Sequence, residues 1–264
     1  MQPAVHRPLP FRPLLAGLLL GLATLPGLAV AQEAAAAPAP VADEAATPAL
    51  EPFIASYMVY RDGKHLGEAT MQLVPMKGSR WRVDLVMHGT RGLIGLAGIN
   101  AEQSTVFDVV GETYRPLTQA TLNKTLFTRK QTIGLYDWPS RSASWQGDVK
   151  ESRQRPVELQ PGDMTGLLIN LAVIRDAEPG ATLKYRFVDD GRTREHVYTV
   201  AAEPEKVSAA DLSFSAFRAV RDKDDNEETL IWVARNVPTP IRMLKREDGK
   251  DAYDLRLVEY KGVE

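Results

Sequence analysis

The chain has 264 residues with 32 basic and 34 acidic side chains, and a net charge of −2 gives no positive field for binding nucleic acid. It contains no Cys, which excludes disulfides, thiolate metal sites, Cys nucleophiles and a lipid anchor attached at a signal-peptide junction. With 44% hydrophobic side chains, it can build one full core after its N-terminal segments are set aside.

Residues 1–31 read as a cleavable export signal. His6, Arg7 and Arg12 make a basic start, Leu14 to Leu28 is almost wholly apolar, and Ala29-Val30-Ala31 is a small-x-small cleavage site. The alternative, an uncleaved membrane anchor, is disfavoured because the apolar run is short and Pro26 breaks it. Cleavage after Ala31 leaves 30 basic and 34 acidic side chains, a net of −4, and no transmembrane segment. The expected compartment is the periplasm. Residues 32–51, QEAAAAPAPVADEAATPALE, hold too little large apolar surface to fold and read as a disordered tether. Residues 52–264 are expected to form a single β-rich domain.

That domain opens with alternating Phe53, Ala55, Tyr57 and Val59, a turn at Asp62-Gly63, a strand from His65 to Val74, and a third strand from Trp81 to His88. Residues 89–100, GTRGLIGLAGIN, place Gly at every third position among Leu93, Ile94, Leu96 and Ile99. This density of Gly argues against a regular helix, and the stretch is too short to span a membrane. Two readings stand: a buried apolar loop plugging one end of the sheet, or an apolar lid or membrane-touching loop. Strands follow at 101–109, 114–122, 127–136 and 142–145, with turns at Gly111-Glu112, Asn123-Lys124 and Asp137-Trp138-Pro139.

One helix interrupts the strands. Met164, Leu167, Leu168, Leu171 and Ile174 fall on one 3.6-residue stripe, Pro161-Gly162 and Pro179-Gly180 mark the ends, and Asp163 is placed as the N-cap. The spacing predicts a helix over about 163–175. Beyond it, strands are expected at 182–188, 193–201, 207–208, 212–220, 229–234, 241–245 and 252–260, with turn signals every 8–12 residues. About a dozen strands and one helix imply a mainly β fold, a strongly curved antiparallel sheet or partly open barrel, with the central helix packed on it or plugging it.

Several segments together resemble an uncharacterised family of exported Gram-negative proteins, domain of unknown function 3108. They are FIASYMVYRDGKHLGEATMQL at the domain start, YRPL at 114–117, the helix led by Asp163 with Arg175 after it, and Trp232 in IWVA with VPTPIRM at 237–243. The resemblance covers Phe53 to Glu259. It implies a periplasmic β-rich domain and, because the family carries no established activity, no catalytic residues. Its expected shape is similar to the curved sheets of envelope lipid or lipoprotein carriers, an analogy of fold class.

The residues themselves supply no catalytic motif. His65, His88 and His196 have no second ligand at metal spacing; His65, beside a hairpin turn, is expected at the surface. No GxSxG, Walker or dinucleotide fingerprint occurs. Asp163 is explained as a cap, and the other acids concentrate in turns. Trp81, Trp138, Trp145 and Trp232 suit sugar stacking, an apolar cavity or plain core packing. The expected function is therefore a non-enzymatic periplasmic binding or carrier module for an apolar or lipid-like ligand, with Leu93, Ile94, Leu96, Ile99, Leu167, Leu171, Trp81 and Trp232 as ligand-binding candidates and no metal or cofactor. The alternatives are an envelope scaffold or assembly factor acting through protein contacts, and an envelope hydrolase acting on glycan or ester. Ligand, partner and oligomeric state stay open.

Overall fold

The computed structural model describes residues 50–89, 100–223 and 226–263, all within the compact unit Ala46–Glu264. The expected signal peptide, nearly all of the tether, and Leu93, Ile94, Leu96 and Ile99 lie outside the described residues.

The elements run β1 (Phe53–Arg61), β2 (Lys64–Pro75), β3 (Arg80–Gly89), β4 (Asn100–Val110), β5 (Thr113–Lys124), β6 (Arg129–Asp137), β7 (Ser142–Gly147), a 3₁₀ turn (Glu151–Arg153), β8 (Val157–Glu158), β9 (Asp163–Met164) and α1 (Gly166–Asp176). They continue with β10 (Thr182–Asp189), β11 (Arg192–Val200), β12 (Glu205–Ala209), β13 (Leu212–Lys223), β14 (Glu227–Ala234), β15 (Arg242–Glu247) and β16 (Lys250–Gly262). The fold is thus mainly β with one described α-helix, as the periodicity predicts. All strands join one sheet in the order β8-β7-β6-β5-β4-β3-β2-β1-β16-β15-β14-β13-β11-β10-β9, with β12 beside β13. Neighbours pair antiparallel except for the short parallel contact of β9 with β10. Irregularities at Ser56/Tyr57, Val59/Tyr60, Val106/Phe107 and Lys245/Arg246 interrupt the register, and bulges of this kind add twist and curl a sheet.

Residues directly opposite across a ladder share a face, so the register separates the two faces. Ala219, Ile231, Met243, Leu255 and Val59 form one lateral row, and Leu73, Val83, Thr105, Gln119, Gly134 and Trp145 another. Both rows lie on the inner face, because α1 sits against them. Thr105 and Thr165 share a hydrogen bond of 3.0 Å between their hydroxyls, and Asn170 reaches Met243.

α1 differs from the helix read from the sequence. It begins at Gly166, and its cap is Thr165, whose hydroxyl accepts from the Leu168 amide at 3.4 Å. Asp163 is not a cap. It lies on β9 opposite Arg186 and is fully buried. Helix periodicity hid this because the pairing that claims Asp163 comes from a strand more than twenty residues away. The apolar surface is also wider than one stripe. Leu167, Leu168, Ile169, Leu171, Ala172 and Val173 are all buried, and at 100° per residue they cover about 240° of the circumference, while Ile174 is only partly buried. The large members each contribute about 1.5–3 kcal/mol of transfer free energy. This outweighs the helix-propensity cost of about 0.5 kcal/mol for each β-branched residue, so α1 is a plug formed by burial.

The sheet is wide enough to overlap itself. β9 pairs with β10 and lies against β5, so the strands that continue the sheet beyond β5, namely β6 to β8, pass outside β10. Val188 faces outward from β10, since Tyr185 and Phe187 on the opposite face meet α1. It is nonetheless fully buried, in a second core with Tyr136, Ala143, Trp145, Val149 and Leu159. Across this overlap the Tyr136 hydroxyl donates to the Val188 carbonyl at 2.8 Å. Arg186 donates to the Asp163 carboxylate and to the Glu158 carbonyl, and the Gln160 amide donates to Asp163 at 2.8 Å. Arg153, in the 3₁₀ turn, donates to Asp190. The neighbouring Gly191 has φ +63°, and a Cβ there would stand 2.1 Å from the Arg153 carbonyl oxygen, so only Gly fits.

β12 covers part of the outer face on the other side. Leu230, Trp232, Leu244 and Asp254 are buried there. Glu205 of β12 accepts from the Trp232 indole and pairs with Arg218, and β12 also contacts β16. Asp254 accepts from Arg242 at 2.7 and 2.8 Å and from Arg256 at 2.9 and 2.8 Å. Arg242 and Arg256 stack in turn on Trp232 and Tyr60, 4.8 and 4.4 Å from the ring centroids. The turn 125–128 also differs from the expectation. β5 continues through Asn123-Lys124, and Phe127 sits in the turn and not in β6.

Replacing Asp163 by Asn removes the charge that matches Arg186 inside the overlap. The expected loss is about 2–4 kcal/mol, the lower end reflecting the part of Arg186 that keeps solvent contact; it would be read from the urea midpoint at constant m-value.

Candidate functional site

α1 does not fill the whole inner face. Its N-terminal end meets Thr105, midway along β4, and at its C-terminal end Arg175 donates to the Glu112 carbonyl in the β4–β5 turn. The half of the inner face nearest Asn100 therefore lies beyond α1.

Burial records the change row by row. Met71 and Leu85 are buried, but Gln103 on the same face and in the next register is exposed, and Thr121 and Thr132 beside it are partly exposed. One row further out, Ala69 is buried, Met87 and Ala101 are intermediate, and Asn123 and Lys130 are exposed. Across the sheet the corresponding row holds Arg221, Thr229, Lys245 and Tyr253, one register beyond Ala219, Ile231, Met243 and Leu255. Tyr198 is next to Arg221 on this face. The inner face is thus dry around α1 and polar and wetter towards the end where β1–β2, β5–β6 and β15–β16 turn.

The polar groups here are held, not loose. Thr121 accepts from the Gln119 side-chain amide at 2.6 Å, and Thr229 accepts from Arg221 at 2.9 Å. Lys245 donates to Glu247 and lies 3.3 Å from Glu227. Burial works against its charge, but the hydrogen bond to Glu247 and the charge of Glu227 prevail and its pKa is raised. Burial pushes Tyr198 up to about 12, against the pull of Arg221, and pushes Tyr253 up as well, so both phenols are neutral donors. The Gln119 carbonyl oxygen and Arg221 Nε are buried and have no hydrogen-bond partner among the described residues.

The C-terminal end of α1 is closed by a second polar group. Arg175 forks onto Asp176 and stacks 4.7 Å from the centroid of the Tyr114 ring. Tyr185 donates to Asp176 at 3.0 Å.

The sequence candidates separate. Leu167 and Leu171 are buried in the main core, and Trp81, partly buried on the inner face, packs against that core. Trp232 is buried in the same cluster but from the other face of the sheet. It points out of the opposite face and bonds to Glu205, because strand alternation puts it out of phase with Ile231. Leu93, Ile94, Leu96 and Ile99 lie outside the described residues. Sequence reasoning missed Gln103, Arg221, Lys245 and Tyr253. The available signal was their phase, since Arg221 alternates with Ala219 and Phe217, although the charged run after it reads as a turn. His65, expected at the surface, is partly buried, with Nε2 2.8 Å from the Gly67 carbonyl. His88 meets Asn100, and His196 stacks on Phe187 at 4.6 Å. Among the described residues no three His, Cys, Asp or Glu side chains converge as a metal site would require, and no helix is long and apolar enough to cross a membrane. An open groove of about 450 Å³ lies elsewhere, between Phe214, Phe217 and Arg235.

A curved antiparallel sheet around a helix places this chain among β-barrel-like proteins. The crystal structure of a β-barrel-like protein of domain of unknown function DUF1849 from Brucella abortus superposes with a TM-score of 0.51 at 11% identity, covering 81% of this chain and 99% of that one. The family model for protein of unknown function DUF3108 matches residues 56–256, and the chain belongs to that family. No curated protein matches.

One carboxyl in the overlap gives the fold a pH signature. Burial pushes Asp189 up to about 6, against the Asp190 backbone amide, Arg192 and the Trp145 indole. The folded state then holds this proton more tightly than the unfolded state, and the contribution of Asp189 to stability is lost as pH rises from 3.8 to about 6. Relative to wild type, an Asp189→Asn variant should gain stability across that window and no further above it, as followed by Tm at stepped pH.

Proposed function

We propose that the domain is a non-enzymatic periplasmic binding or carrier module whose ligand is apolar or lipid-like and sits on the inner face beyond the N-terminal end of α1. The observation that carries this reading is Gln103, exposed on the face and in the register where a barrel core would place a buried side chain. Leu85, Met87 and Phe187 supply apolar surface there, and Gln119, Arg221 and the two tyrosines supply polar groups that suit the head of an amphiphile. The non-enzymatic reading is supported by two of the hydroxyls on this face. Thr121 and Thr229 accept from Gln119 and Arg221, and among the described residues neither is paired with a base. Export is supported by the basic, apolar and small-residue order of residues 1–31.

Native mass spectrometry of protein purified from the periplasm, followed by organic extraction, is expected to show a bound amphiphile. A Gln103→Trp, Thr121→Trp variant fills the inner face and is expected to lose that ligand while keeping its Tm. Wild-type protein that extracts clean, or a filled variant that still carries the ligand, would sink the carrier reading.

A further inference from the structure

The β5–β6 hairpin ends in Lys124-Thr125-Leu126-Phe127-Thr128-Arg129-Lys130. Phe127 is 92% exposed and Leu126 62%, the former the largest exposure among the large apolar side chains described. A floppy tip would bury such residues against its own strands, but here the backbone prevents it. The Thr125 amide donates to the Thr128 carbonyl at 2.8 Å, and the Thr125 hydroxyl accepts from the Thr128 amide at 3.0 Å and the Phe127 amide at 3.3 Å. The turn is tied on both sides of two projecting apolar groups.

The charges within the segment 124–130 are of one kind, with the carboxylates of Glu102 and Asp148 beside it. Arg129 and Lys130 are exposed with no ion pair among the described residues, and Lys124 pairs loosely with Glu102 at 3.4 Å. The three cations of the segment, less the adjacent Glu102 and Asp148, leave the tip at net +1 on a chain whose total is −2. Below it, Ile133 and Leu135 stay exposed along the outer face of β6. A protein pocket would take a Phe-Leu pair without needing a basic collar. An apolar tip with cations set about one residue behind it matches an anionic bilayer surface, where the side chains enter the acyl boundary and the cations stay at headgroup depth.

We propose that the β5–β6 hairpin is a preformed membrane-docking element that inserts Leu126 and Phe127 into an anionic lipid surface, with Lys124, Arg129 and Lys130 on the headgroups. It goes beyond the carrier reading and does not depend on it. Protein can dock without carrying lipid, and the two tests read different quantities.

The test uses residues 32–264, which omit the apolar export segment and retain every residue of both described cores. Wild-type protein is expected to float with phosphatidylcholine vesicles doped with phosphatidylglycerol and to be released by salt. Leu126→Asp with Phe127→Asp should weaken partitioning by about tenfold per residue, and Arg129→Glu with Lys130→Glu by about fivefold per charge removed. All of these changes are on exposed side chains, so circular dichroism and Tm should be unchanged. Because the chain has no Cys, Phe127→Cys accepts a single environment-sensitive fluorophore, whose emission should shift to the blue on vesicles while the same label at Lys77→Cys, in the exposed β2–β3 turn, does not. Failure of wild type to float, equal flotation of the Asp variant, or a blue shift at 77 in place of 127 overturns the proposal, and the tip is then a protein contact or serves no docking role.

Discussion

A sheet of sixteen strands has two faces and two ends to protect, and among the described residues one short helix, α1, is available to help. That shortage governs the fold. The inner face closes around α1. On the outer face the sheet covers itself: β6 to β8 pass over β10, and β12 meets Trp232 of β14 and lies against β16. The point where the overlap is fixed is Asp163 against Arg186. A fully buried carboxylate must meet its cation, and this pair can form only when β9 has reached β10 and β8 lies over both. The hydrogen bond from Tyr136 to Val188 and the pair of Arg153 with Asp190 fasten the same seam at two further places.

The segments that mark the DUF3108 family are contacts of this closure, read from both sides. Tyr57 of the opening strand donates to the Pro240 carbonyl at 3.0 Å and meets Thr239, both in the VPTPIRM segment. Tyr114 of YRPL lies under Arg175, at the end of α1. Trp232 of IWVA lies under Arg242. The first two pairings join parts of the chain far apart in sequence and the third ties neighbouring strands β14 and β15, so these residues help specify the fold.

The helix also explains why one end of the inner face differs from the other. An eleven-residue helix spans about 16 Å, whereas β4, also eleven residues long, spans about 37 Å. α1 is anchored at the Glu112 end by Arg175 and stops at Thr105. Side chains beyond that point do not pack on α1, and the polar row of Gln103, Thr121, Arg221 and Lys245 is what the sequence places there. Hydroxyls and amides in this row cost little where water still reaches.

The sequence by itself determined the strand-turn-strand rhythm, the curved mainly β architecture, one central helix and the family, because two-residue alternation, turn chemistry and the 3.6-residue stripe are local signals. It located Leu167 and Leu171 in the core for the same reason. Only the tertiary structure decided what depends on partners distant in the chain. Asp163 looked like a cap until β10 brought Arg186 to it, and Trp232 was grouped with Leu167 until register put it on the opposite face. Phe127 was assigned to a strand until the hydrogen bonds of Thr125 and Thr128 closed a turn around it. Register, overlap and the length of α1 against β4 are long-range quantities, and no window of local sequence contains them.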